Sequence, residues 1–146
     1  MNRYVLITGT SSGIGLDCAR LLIEQGYRVI GTLRKASDAE RVKTRLGASF
    51  IPLLLDVTDL SAIPAAITEV SALVGDNGLA ALVNNAGIAS PNAPLGLQPL
   101  AEIRAMFEVN VMGLLALTQA CLPLLGARHG CSKPGRIITI GSTSGA

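Results

Sequence analysis

One turn constrains the fold of this chain more than any other stretch. Thr8-Gly9-Thr10-Ser11-Ser12-Gly13-Ile14-Gly15 follows an apolar run, Tyr4-Val5-Leu6-Ile7, that has the character of a buried strand. It precedes Leu16-Asp17-Cys18-Ala19-Arg20-Leu21-Leu22-Ile23, whose apolar residues recur at helical spacing. A strand, a glycine-rich turn and a helix together bring backbone N–H groups and the positive end of a helix dipole to one point, which suits a phosphate. Glycine is needed there because a side chain would hold the phosphate off the backbone, and because the turn calls for positive φ. The spacing is Gly9, three residues, then Gly13-Ile14-Gly15, rather than the commoner G-x-G-x-x-G. Any tight βα connection resembles this, so further signals have to decide.

The rest of the chain repeats the alternation. Strands are predicted at Arg3 to Thr8, Arg28 to Leu33, Phe50 to Leu55, Leu79 to Val83 and Arg136 to Ile140. Helices are predicted at Ile14 to Gln25, from a capping box at Ser37-Asp38-Ala39-Glu40 to near Gly47, at Ser61 to Val74, and at about Leu100 to Ala127 with a kink near Gly113 or Pro123. Pro64 falls in a first turn, where it is tolerated. The loop from Asn84 to Pro99 holds three prolines. Repeated βαβ units force a parallel sheet with right-handed crossovers.

Composition agrees. Of 146 residues, 49% are hydrophobic and only 15% charged, with 16 Gly and no Trp, which is the profile of buried parallel strands in an α/β unit. The length suits one domain, residues 1 to 146. A net charge of +2, with no basic stripe interleaved with aromatics, argues against nucleic acid. Cys18, Cys121 and Cys131 are odd in number and lack C-x-x-C spacing, which argues against a disulfide framework or zinc site and for a reducing cytoplasm. Cys18 and Cys121 read as core. His129, the single histidine, reads as a solvated loop residue, so no Ser-His-Asp arrangement is expected. No export signal or membrane-spanning run is expected either.

Ligands of such sheets bind at the carboxyl ends of the strands. Those ends are Thr8 to Gly15, Leu33-Arg34-Lys35, Asp56-Val57, Asn84-Asn85-Ala86-Gly87 and Gly141-Ser142, and the polar and glycine-rich clusters of the chain fall on that edge.

Together these residues resemble the classical short-chain dehydrogenase/reductase family, and Thr32-Leu33-Arg34, Leu55 to Thr58 and Gly78 to Asn84 look most like its hydroxysteroid and retinol dehydrogenase branch. The turn matches the family's Thr-Gly-x-x-x-Gly-x-Gly, so the resemblance assigns Gly9, Ser11, Ser12, Gly13, Ile14 and Gly15 to cofactor binding. Asn84-Asn85-Ala86-Gly87 matches its Asn-Asn-Ala-Gly and adds Asn84, Ala86 and Gly87. Asp56-Val57 matches the acidic end of strand three, which in the family contacts adenine. Asn110 matches the catalytic asparagine and Ser142 the catalytic serine. Singly, each also suits a structural part: Asp56 a turn or helix cap, Asn84 and Asn85 the amides of a loop, Asn110 a buried hydrogen-bonded asparagine, Ser142 a turn serine with Ser144 as its rival.

The resemblance implies a Rossmann-type doubly wound sheet of strand order 3-2-1-4-5, and hydride transfer between a nicotinamide and a carbonyl or secondary alcohol. Ser142 would hold the substrate oxygen and Asn110 would order a water in the proton relay. An acid ending strand two would favour NAD(H). Here Leu33 is followed by Arg34 and Lys35, and a guanidinium favours a 2′-phosphate, so NADP(H) is expected over NAD(H), unless the pair is simply a solvated strand end. The family's Tyr-x-x-x-Lys is not among these residues, since Tyr4 and Tyr27 lie at the other end of the chain. It is expected beyond Ala146, with a homodimer or homotetramer expected of the complete protein. An open apolar edge at Ile137, Ile138 and Ile140 favours that reading over a non-catalytic NADP(H)-binding sensor, scaffold or remnant, which stays open.

Overall fold

The computed structural model describes residues 3–89, 93–127 and 133–142. His129, Cys131 and Ser144 lie outside them. Five strands, β1 (Tyr4–Ile7), β2 (Arg28–Leu33), β3 (Phe50–Leu54), β4 (Leu79–Asn84) and β5 (Arg136–Thr139), form one sheet in the order β3-β2-β1-β4-β5. Every neighbouring pair is parallel. Helices α1 (Gly13–Glu24), α2 (Ala36–Leu46), α3 (Ile63–Val74), α4 (Leu100–Phe107) and α5 (Leu114–Cys121) complete the alternation.

Period-two alternation of the strands divides the core into two layers. Tyr4 and Leu6 of β1 face a cluster with Ile30, Leu53, Val70 and Leu117, under α3 and α5. Val5 and Ile7 face the other way, with Leu16, Ala19, Val29 and Val42, under α1 and α2. The β1–β4 register shifts once, from Tyr4 opposite Leu79 to Val5 opposite Ala81, which puts Leu79 and Leu82 on the same side despite their odd spacing.

The outer edge of β3 is closed by its own residues. Ser49 O accepts from Val29 N and Leu55 N donates to Leu33 O, so odd-numbered residues of this strand turn toward β2 and even-numbered ones outward. Among the outward groups, Phe50 N donates to Gly47 O, Phe50 O accepts from Lys43 Nζ, and Pro52 has no N–H. A proline is tolerated in a sheet on such an edge.

Three expectations need correction. Ser37 does not cap α2: Lys35 is the N-cap residue in extended conformation, Ser37 lies inside the helix, and no side chain caps it. Asp38 is drawn instead to Arg41, one turn on. The third helix starts at Ile63 rather than Ser61, because Asp59 Oδ1 gathers Ser61 N and Ala62 N into a turn first. The long helix is interrupted by a π-helical segment, Glu108–Gly113, and α5 ends at Cys121, ahead of Pro123. Of the two kink positions expected, the irregularity falls at Gly113, whose bare Cα packs on the Val57 carbonyl where a Cβ would collide.

Candidate active site

The glycine turn is pinned from two strands at once. Gly9 has φ of 70°, the left-handed region, and its N–H donates to Thr32 Oγ1 at 3.1 Å. Thr10 N donates to Thr32 O at 3.0 Å, so the end of β2 carries one side of the turn. From β4, Asn85 N and Ala86 N both donate to Thr8 Oγ1, at 2.9 and 2.8 Å. Asn85 Nδ2 returns to Thr8 O at 2.9 Å and Gly9 O at 3.1 Å. Gly15 is required by close approach, since a Cβ there would strike the Gly9 carbonyl and the Asn85 amide. Ser12, extended at φ −163°, begins α1 without a side-chain cap. The first N–H groups of the helix are thereby left for a ligand or water.

Beside this turn lies a cleft of about 290 Å³. Gly9, Ser11 and Ser12 line it from the turn, Arg34 from beyond β2, Asp56 and Val57 from beyond β3, and Ala86 and Gly87 from beyond β4. Gly13, Ile14 and Gly15 form the first turn of α1 next to it. Asn84 faces elsewhere: it is buried, its Nδ2 donates to Thr118 Oγ1 on α5 at 3.0 Å, and its Oδ1 has no partner among the described residues. Asn85 is the asparagine of this pair that reaches the cleft. Ser142 is exposed just past β5.

Asp56 serves a turn and the cleft together. Its Oδ1 accepts from Thr58 N at 3.0 Å and from Thr58 Oγ1 at 2.8 Å. The Thr58 backbone N–H does most to hold this carboxyl below its ordinary value; partial burial opposes it, while the Thr58 hydroxyl and the positive charge of Arg34 assist. The group is ionised at neutral pH, with the exposed Arg34 at the same opening.

Asn110 sits in the π-helical segment, is not itself part of the cleft wall, and is bonded to Ile88, which is. Its Oδ1 accepts from Ile88 N at 2.9 Å and its Nδ2 donates to Ile88 O at 2.8 Å. The side chain is exposed rather than buried. π-Bulges of this kind concentrate at functional sites.

Sequence reasoning passed over Thr8 and Thr32, which build the turn, and the apolar lining of Leu33, Leu55, Ile88 and Val109. A threonine at each strand end beside a glycine turn was the available signal for the first two. The others have the composition of core residues. The arrangement fits a dinucleotide: the bare helix terminus and glycine cradle accept a diphosphate, and Arg34 and Asp56 flank a slot with apolar walls.

Comparison with known proteins agrees. The family model described as short chain dehydrogenase matches residues 3–146. An NADPH-dependent 3-dehydrocapnine reductase from Ornithobacterium rhinotracheale is 40% identical over 98% of this chain and 50% of its own. Retinol dehydrogenase 7 from Rattus norvegicus is 35% identical over 99% of this chain and 44% of its own. Among solved structures, a 3-ketoacyl-(acyl-carrier-protein) reductase from Brucella melitensis, complexed with NADH, superposes with a TM-score of 0.89 at 27% identity, covering 97% of this chain and 57% of that one. The chain thus spans about half the length of the curated relatives it matches.

Proposed function

The chain belongs to the short-chain dehydrogenase family, and from that premise we propose that its cleft holds NADP(H) in preference to NAD(H) for hydride exchange with a carbonyl or secondary alcohol. The observation that carries this reading is the meeting, in one cleft, of the uncapped start of α1, the glycine turn and Arg34. The turn and Gly13–Gly15 take the diphosphate. Asp56 and Val57 meet the adenine side, and Arg34 takes the 2′-phosphate by charge-assisted hydrogen bonds. The NADPH dependence in the name of the O. rhinotracheale relative supports that choice, while the NADH bound to the B. melitensis reductase makes preference the point to test.

A nicotinamide held there would supply or receive the hydride. Ser142 holds the substrate oxygen, and Asn110, fixed on Ile88, orders the water that feeds the proton relay. Residues 1–146 act as one dinucleotide-binding unit, and the acid–base Tyr-x-x-x-Lys is supplied from beyond them. Assembly as a homodimer or homotetramer in the cytoplasm completes the proposal. Exposed Phe107, Met112 and Leu115 support the assembly, and among the described residues no helix is long and apolar enough to cross a membrane.

The test is fluorescence titration of the full-length protein with NADPH and NADH, repeated for Arg34→Glu. The wild type is expected to bind NADPH more tightly, and the variant to lose or invert that order. Equal affinities in the wild type would overturn the preference. Binding without reduction of any carbonyl by the full-length protein would favour a sensor or scaffold.

A further inference from the structure

Arg41 stands outside the cleft, yet touches its phosphate turn. From α2 its Nη2 donates to the Ser11 carbonyl at 2.7 Å and to Asp38 Oδ1 at 2.8 Å. The Ser11 contact spans thirty positions of chain, whereas the Asp38 contact stays within one helical turn. Ser11 and Ser12 both line the cleft. The Ser11 carbonyl and the Ser12 N–H belong to the same planar trans peptide, in which the two bonds point in opposite directions. Whatever fixes the carbonyl therefore also aims the N–H. Asp38 shares the same Nη2, so the guanidinium reaches Ser11 from a side chain also held within α2.

We propose that Arg41 is a positioning residue for diphosphate binding. It pulls the Ser11 carbonyl away from the cleft, turns the Ser12 N–H toward the phosphate oxygens, and ties the turn to α2, which follows directly on the Arg34 segment. This rests on the dinucleotide reading above. Arg41 acts through the Ser11–Ser12 peptide, whereas Arg34 meets the 2′-phosphate itself, so the two arginines govern different parts of the same ligand. Without Arg41 the peptide is free to rotate and present a carbonyl oxygen to an anion.

Two probes separate these parts: ADP-ribose, which has the diphosphate alone, and its 2′-phosphorylated counterpart. Calorimetric titration of the full-length protein is expected to show Arg41→Ala weakening both probes alike, by about tenfold, the scale of one charge-assisted hydrogen bond. Arg34→Ala is expected to weaken only the 2′-phosphorylated probe. Arg41→Lys, which retains a donor for the Ser11 carbonyl, is expected to recover most of the loss, a rescue that a general loss of stability would not produce. Unchanged affinities in Arg41→Ala overturn the inference and leave the dinucleotide reading standing. A loss confined to the 2′-phosphorylated probe also overturns it, by making Arg41 a direct ligand. Failure of the wild type to bind either probe would refute the dinucleotide reading itself.

Discussion

Asn110 holds both polar backbone groups of Ile88, accepting from its N–H at 2.9 Å and donating to its carbonyl at 2.8 Å. One side chain on the interrupted helix thus does for the loop after β4 what a neighbouring strand would do. Asn110→Ala removes both bonds, and the expected cost in stability is about 1–2 kcal/mol, since the site is solvated. Amide exchange at Ile88 should accelerate while the β1 amides stay protected. Unchanged protection at Ile88 would show that the clamp does not hold in solution.

Gly15→Ala tests how tightly the turn is packed. A methyl group there meets the Gly9 carbonyl and the Asn85 amide, with backbone on one side, whereas at Gly96 it meets open space. Denaturant melts should show Gly15→Ala destabilised by about 1–3 kcal/mol, the usual cost of overpacking. Gly96→Ala should lie within about 0.5 kcal/mol of wild type, as surface changes do. Equal melts for the two variants would contradict the close approach.

Thr118→Val should be costly although it looks conservative. Its hydroxyl is the acceptor for the buried Asn84 Nδ2, and Asn84 Oδ1 has no partner among the described residues. The variant leaves the amide buried and unpaired, at about 1–3 kcal/mol. The double variant with Asn84→Leu should recover part of that loss, because two apolar groups then face each other. A cycle with no coupling between the two sites would refute the pairing.

Cys121 makes stability fall at alkaline pH. It is fully buried, and that burial raises its thiol from an ordinary 9.0 to about 12. The unfolded chain therefore releases this proton first. The contribution is fully present below pH 9.0 and is lost as the pH climbs toward the folded value. Melts taken above pH 9.0 should show a steeper decline for wild type than for Cys121→Ala. Parallel declines would exclude the thiol as their source.

Much of this fold is legible in the sequence because apolar strands give way to polar and glycine-rich residues. Ile7 runs into Thr8-Gly9, and Val83 into Asn84-Asn85, of which Asn84 is the last residue of β4. Period-two and helical spacing then sort the elements, and the strand order follows with the family resemblance. What spacing cannot show is which way a side chain turns at a strand end. Asn84 and Asn85 are chemically identical, yet the pleat sends the first toward Thr118 and the second to the glycine turn. Ser37 has the right neighbour for a capping box, but backbone geometry starts the helix two residues earlier, after Lys35. The need for glycine at position 113 is hidden for a related reason: it comes from close approach to Val57, a residue far away in sequence.

The obstructed rim of β3 makes the two edges of the sheet unequal as templates. Pro52 removes a donor, the Gly47 carbonyl and Lys43 occupy both outward groups of Phe50, and Leu54 alone keeps an outward N–H with no partner given by the strand itself. A row of unpaired N–H and C=O groups is what templates an added strand, and this rim offers a broken one. A segment that extends the sheet meets fewer obstacles beside β5, where Ile137 and Ile138 stand half exposed. Growth of the sheet has a preferred direction, and a tertiary amide and a lysine help to set it.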